Sequence, residues 1–132
     1  MKVTPDTDVL VRLLTADDQG QHESALKTLE DADVVLLTLP ALCELAWVLA
    51  YSYRTPRPDV AKAIRGLLAS DNASADATAV EAGLAMLEAG GDFADGVIAY
   101  EGKRLGSDKF VSFDKRAVSR LKAMGEPALL LS

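Results

Sequence analysis

The stretch Val34-Val35-Leu36-Leu37-Thr38-Leu39-Pro40-Ala41-Leu42-Cys43-Glu44-Leu45-Ala46-Trp47-Val48-Leu49 decides the fold. Its first four residues form a continuous apolar run led by two β-branched valines, the pattern of a strand buried on both faces. Thr38 and Pro40 then open a helix, because proline's missing N–H costs nothing in a first turn, and no breaker interrupts Ala41 to Tyr53. A buried strand feeding straight into a helix is half of a βαβ unit.

The same alternation extends in both directions. Towards the N-terminus, a short strand over Lys2 to Pro5 precedes Asp6, and Val9, Leu10, Leu13 and Leu14 then mark one helix face; Gln21 to Asp31 forms a second helix. Towards the C-terminus, Pro56 and Pro58 make a break. Apolar stripes then predict helices over 60–68, 76–88 and 92–105, the last two punctuated by Gly90-Gly91. A strand over Lys109 to Phe113, a helix over Ala117 to Met124 and a strand over Pro127 to Leu131 complete the chain. Strands separated by helices imply an α/β fold with a mostly parallel central sheet and helices on both faces, a three-layer α/β/α arrangement. Sites in such sheets lie beyond the carboxyl ends of the strands, which places Asp6 and Asp114 on the functional edge.

With 132 residues the chain is expected to form one domain, 1–132, large enough for a core without disulfides. No apolar run approaches the roughly 18 residues of a membrane span. Residues Met1 to Asp6 lack the apolar core of a secretory signal, so the expected location is cytoplasmic. Cys43, the one cysteine, reads as a small buried hydrophobe, and the lone His22, in a polar stretch, as solvent-exposed. The net charge of −6 argues against broad attraction to nucleic acid. The balance nevertheless reverses along the chain. Residues 101–132 hold seven bases (Lys103, Arg104, Lys109, Lys115, Arg116, Arg120, Lys122) against four acids, whereas residues 1–100 hold seven against sixteen.

Three acidic positions need an account. Glu44 falls among Trp47, Val48 and Tyr51 on an apolar helix, where an ionised carboxylate requires either a cation or an ion pair, for instance with Arg12. Asp92 and Asp95 point the same way from the first turn of the 92–105 helix. Asp92 suits the N-cap, but Asp95 lies inside the turn beside Val97, Ile98 and Ala99.

Four blocks, in order, resemble the PIN-domain family and in particular its VapC-type toxins. Asp6-Thr7-Asp8-Val9-Leu10-Val11-Arg12-Leu13-Leu14 is similar to the opening Asp-Thr-Asn/Asp motif, and Leu42-Cys43-Glu44-Leu45-Ala46-Trp47-Val48-Leu49 to the glutamate helix. Asp92-Phe93-Ala94-Asp95-Gly96-Val97-Ile98-Ala99 resembles the Asp-Phe-Ala-Asp-Ala-Leu-Ile-Ala block, with Gly96 where Ala is common. Val111-Ser112-Phe113-Asp114-Lys115 resembles the closing Thr-Phe-Asp motif, with Ser112 for Thr; Pro5 replaces the usual apolar residue before Asp6.

The resemblance implies catalytic and metal-binding roles for Asp6, Glu44, Asp95 and Asp114, flanked by Asp8, Asp92 and Ser112. Two carboxylates about 4 Å apart repel by roughly 4 kcal/mol at an effective dielectric near 20, so such a cluster calls for a divalent ion. Oxygen ligands select Mg²⁺ or Mn²⁺, which would orient and acidify a water for attack on an RNA phosphodiester. A cognate VapB-like antitoxin and a homodimer or higher assembly are implied as partners. Two other schemes fit parts of the sequence. Asp6-Thr7-Asp8-Val9 matches the Asp-x-Asp signature of haloacid-dehalogenase-type phosphatases, with Asp6 as phosphoryl acceptor, and a PIN-like scaffold could bind RNA or a partner without catalysis.

Overall fold

In the computed structural model, which describes residues 1–132, every strand pairing is parallel, as the βαβ reading expects. The chain divides into two compact units, Met1–Asp76 and Ala77–Ser132.

The first unit runs β1 (Lys2–Val3), α1 (Thr7–Leu14), α2 (Gln19–Asp31), β2 (Val34–Leu36), α3 (Leu39–Trp47), α4 (Arg57–Leu68) and β3 (Ala73–Ser74). Its sheet has the order β1-β2-β3, with Val3 opposite Val35 and Leu36 opposite Ser74. Leu10 of α1, Leu42, Leu45 and Leu49 from the α3 segment, and Val60 and Ile64 of α4 are buried on the stripes anticipated from spacing; in α1, however, Val11 is buried as well, whereas Leu14, placed on the stripe, is exposed. Val35 is buried too, but Leu36 is exposed, so β2 is less enclosed than its apolar run suggests.

Two features depart from the sequence pattern. The helix opened by Thr38 does not stay α-helical to Tyr53; Val48–Ser52 form a π turn, closed by the Tyr53 N–H donating to the Val48 carbonyl at 3.2 Å. Strand β3 had no signal in Ala73-Ser74, which contain neither a β-branched nor a large apolar side chain. It exists because Asn72 is fastened, its side-chain amide donating to the Leu29 and Ala32 carbonyls at 2.8 and 3.0 Å while its own carbonyl accepts from Val35. His22 is also corrected. It is half-buried, with ring Nδ1 3.0 Å from the Arg12 carbonyl, because α1 and α2 pack together and bring its ring onto the end of α1.

The second unit runs α5 (Ala77–Glu88), α6 (Phe93–Arg104), β4 (Phe110–Ser112), α7 (Lys115–Ala123) and β5 (Ala128–Leu130). β4 and β5 pair in register from Phe110 opposite Ala128 to Ser112 opposite Leu130. Met86, Ala117, Val118, Leu121 and Ala128 form one buried cluster, with Ala99 and Phe110 against it. Helices α5 and α6 approach closely because glycine faces the partner helix from each side. A Cβ on Gly83 would stand 2.6 Å from the Phe93 ring, and one on Gly96 2.4 Å from the Ala82 carbonyl oxygen.

Candidate active site

In the first unit the acidic residues gather where α1 begins. Asp6 is the N-cap of α1, its Oδ1 accepting the Val9 N–H at 3.0 Å, so the end of β1 and the start of the helix fix its carboxylate. The next side chain, Thr7, donates its hydroxyl hydrogen bond to Glu44 Oε1 on α3. The partner of Glu44 is a neutral hydroxyl rather than Arg12, and Glu44 is exposed. Arg12 is instead held by Asp17 at 3.0 Å and, more loosely, by Asp8 at 3.9 Å one helical turn back, while its Nε is buried without a partner.

Asp6, Thr7, Asp8, Arg12, Glu44 and Tyr53 line a cleft of about 410 Å³. Tyr53, delivered by the π turn, donates to Asp17 at 2.7 Å, and Thr15 donates to the same carboxylate at 2.9 Å. These two hydroxyls, joined by Arg12, hold Asp17 below the usual carboxylate range. Thr7, Asp17 and Tyr53 were not singled out from sequence. Thr7 stood inside a quoted motif, but its bond to a residue 37 positions away has no local signal.

In the second unit Asp92 occupies the N-cap position of α6, though its carboxylate makes no capping bond, and Asp95 sits half-buried in the first turn. Burial, then Asp92, then Asp114 push the Asp95 carboxyl above its ordinary range. Asp95 thus shares its electrostatic surroundings with two of the acids that sequence reading grouped with it. Asp114 is the N-cap of α7, and its Oδ1 takes two backbone bonds, from Arg116 at 2.9 Å and Ala117 at 3.2 Å. Ser112 Oγ accepts the Asp114 N–H at 2.9 Å, so this residue, read as flanking, holds the backbone that presents Asp114. Asp6 and Asp114 are therefore built alike, with one carboxylate oxygen spent on a helix start and Oδ2 taking no hydrogen bond from the protein.

The candidate ligand atoms are all oxygens, which suits a hard divalent cation, and Asp95 is a carboxylate destabilised by burial and then by its acidic neighbours. Within neither unit do three or more His, Cys, Asp or Glu side chains gather closely enough to hold a metal ion by themselves. Cys43 on α3 is half-buried, and burial pushes its thiol up, as expected for an inert side chain.

A family model for the PIN domain matches residues 3–123. No curated protein matches the chain. No helix is long and apolar enough to cross a membrane.

Proposed function

Because the chain belongs to the PIN-domain family, a nuclease family whose α/β/α class its parallel strands and seven α-helices fit, we propose that it is a Mg²⁺- or Mn²⁺-dependent endoribonuclease and the toxin half of a VapBC-type pair. The proposed metal ligands and catalytic residues are Asp6, Glu44, Asp95 and Asp114. The observation that carries this reading is Asp95. A carboxylate kept half-buried beside two further acids opposes its own ionisation, and a divalent cation relieves that opposition.

The side chains of this protein have separate tasks in the proposed reaction. Thr7 turns the Glu44 carboxylate by donating to one of its oxygens. Asp6 and Asp114 are immobilised by their helix starts, so each offers a second oxygen at little further entropic cost. Bound Mg²⁺ would supply activation of the attacking water and stabilisation of charge developing on the phosphate. The Thr7–Glu44 bond also favours this scheme over an Asp6 phosphatase, because it ties the Asp6-Thr7-Asp8 segment to a helix for which the phosphatase has no use. A VapB-like antitoxin, self-association and a cytoplasmic location belong to the same proposal.

The test is incubation of purified protein with total RNA, with and without Mg²⁺ or Mn²⁺, and mapping of the cut ends. Metal-dependent cuts leaving 5′-phosphates are expected, and expression without an antitoxin should arrest growth. Intact total RNA under both metals together with normal growth would remove the nuclease and the toxin readings.

A further inference from the structure

Resting on the nuclease reading, we propose that Phe113, Lys115 and Arg116 form a track for single-stranded RNA beside Asp114, with Phe113 stacking on a base and the two cations holding backbone phosphates. Phe113 follows β4 and is 73% exposed. Isolated exposed apolar side chains are common and mean little alone. The backbone that carries this one is fixed by its neighbours. Asp114 N–H is bound to Ser112 Oγ, and Asp114 Oδ1 is bound to the N–H groups of Arg116 and Ala117, so the turn is pinned on both sides of Phe113.

Lys115 and Arg116 are the second observation. Both are exposed in the first turn of α7, the end at which the helix dipole disfavours cations, and neither is paired with an acid. The same helix has Arg120 and Lys122 in its last turn, where the dipole favours them. Two unpaired cations at the unfavourable end are explained by an anionic ligand. An exposed aromatic side chain just before that turn makes that ligand a nucleic acid with unstacked bases, since stacking accepts any base and phosphates accept the cations. The reversal of charge in residues 101–132 thereby acquires a use. Chain adjacency puts the stacked base next to Asp114, a proposed ligand of the reacting centre.

The experiment measures anisotropy of fluorescein-labelled twelve-nucleotide oligouridylate and oligoadenylate with the full chain, Ca²⁺ replacing Mg²⁺, across a salt series. Phe113→Leu should weaken binding about five- to hundred-fold while Phe113→Trp retains it. Lys115→Gln/Arg116→Gln should lower the slope of log affinity against log salt by about 1.4, the value for two phosphate contacts on a single strand. Unchanged melting temperatures for these exposed positions confirm folded variants. Wild-type affinity in Phe113→Leu, an unchanged salt slope, or no binding of either oligonucleotide by the wild type overturns the track. Cleavage of total RNA by the wild type, scored separately, decides the nuclease reading independently of it.

Discussion

At Asp95 one substitution separates a ligand from a structural acid. Asp95→Asn keeps the side chain's size and removes its charge; as a metal ligand its loss should lower turnover by about two orders of magnitude or more with the fold intact. The stability effect has a definite sign. The folded carboxyl titrates above its unfolded value of 3.8, so the native state holds the proton longer, and stability falls as pH rises from that value through the raised one. In EDTA, Asp95→Asn should therefore gain stability relative to wild type across that window and keep the gain at neutral pH. Melting curves at pH 3.5 and pH 7 check this, and a mutant that loses ground at neutral pH would show that Asp95 is stabilising after all. Thr7→Val makes a second residue-scale test. It deletes the hydroxyl that orients Glu44 and retains the shape, so kcat should fall about tenfold or more while KM for RNA changes little, restored by Thr7→Ser.

The turns from strand to helix are where sequence and structure agree most closely, because a break between two hydrophobic patterns is a local property. The local pattern puts Asp6 at a strand-to-helix turn, Asp114 after a strand and Asp95 in a first helical turn, and each stands there; Asp92, read as an N-cap, takes that position without a capping bond. What the sequence did not carry depends on distant chain. Strand β3 borrows its ladder from β2, Glu44 finds its hydroxyl on α1, and His22 finds a carbonyl there; none of these partners is within ten residues except that His22 lies ten from Arg12. The π turn is likewise silent in sequence, since its residues are ordinary helix formers. Gly96 is informative in the opposite way. Alanine is common at this position of the motif, yet here α5 passes so near that an added methyl would meet the Ala82 carbonyl and Met86 Cβ at 2.4 and 2.7 Å. Gly96→Ala should thus lose about 1–3 kcal/mol by overpacking, against the roughly 1 kcal/mol that alanine ordinarily gains in a helix. Gly66→Ala on α4, with nothing within 4 Å of the added carbon, should show that ordinary gain. Urea unfolding of the pair measures both, and equal effects would mean that the α5–α6 approach is looser than described.

Across the whole molecule, twenty acids against fourteen bases leave a net charge of −6, so both metal and RNA meet a chain whose average field favours the first and opposes the second. Local placement must overcome that average for RNA, which is the physical need met by the excess of cations over acids in residues 101–132. For metal the average and the local field agree, and this makes metal binding legible as stability. A site with about millimolar affinity at about 10 mM Mg²⁺ stabilises the folded chain by RT ln(1 + [L]/Kd), about 1.4 kcal/mol. For a chain of this length that raises Tm by about 5 °C. Diffuse counterion screening would also raise Tm, so the comparison must be made at matched ionic strength with KCl. It must also include an Asp6→Asn/Asp95→Asn variant, whose net charge changes only from −6 to −4. Screening acts on the total charge and should leave most of the shift in the variant, whereas a site built from these carboxylates should lose nearly all of it. Equal Mg²⁺ shifts in the two proteins would place the bound ion elsewhere and leave Asp6 and Asp95 without the role assigned to them.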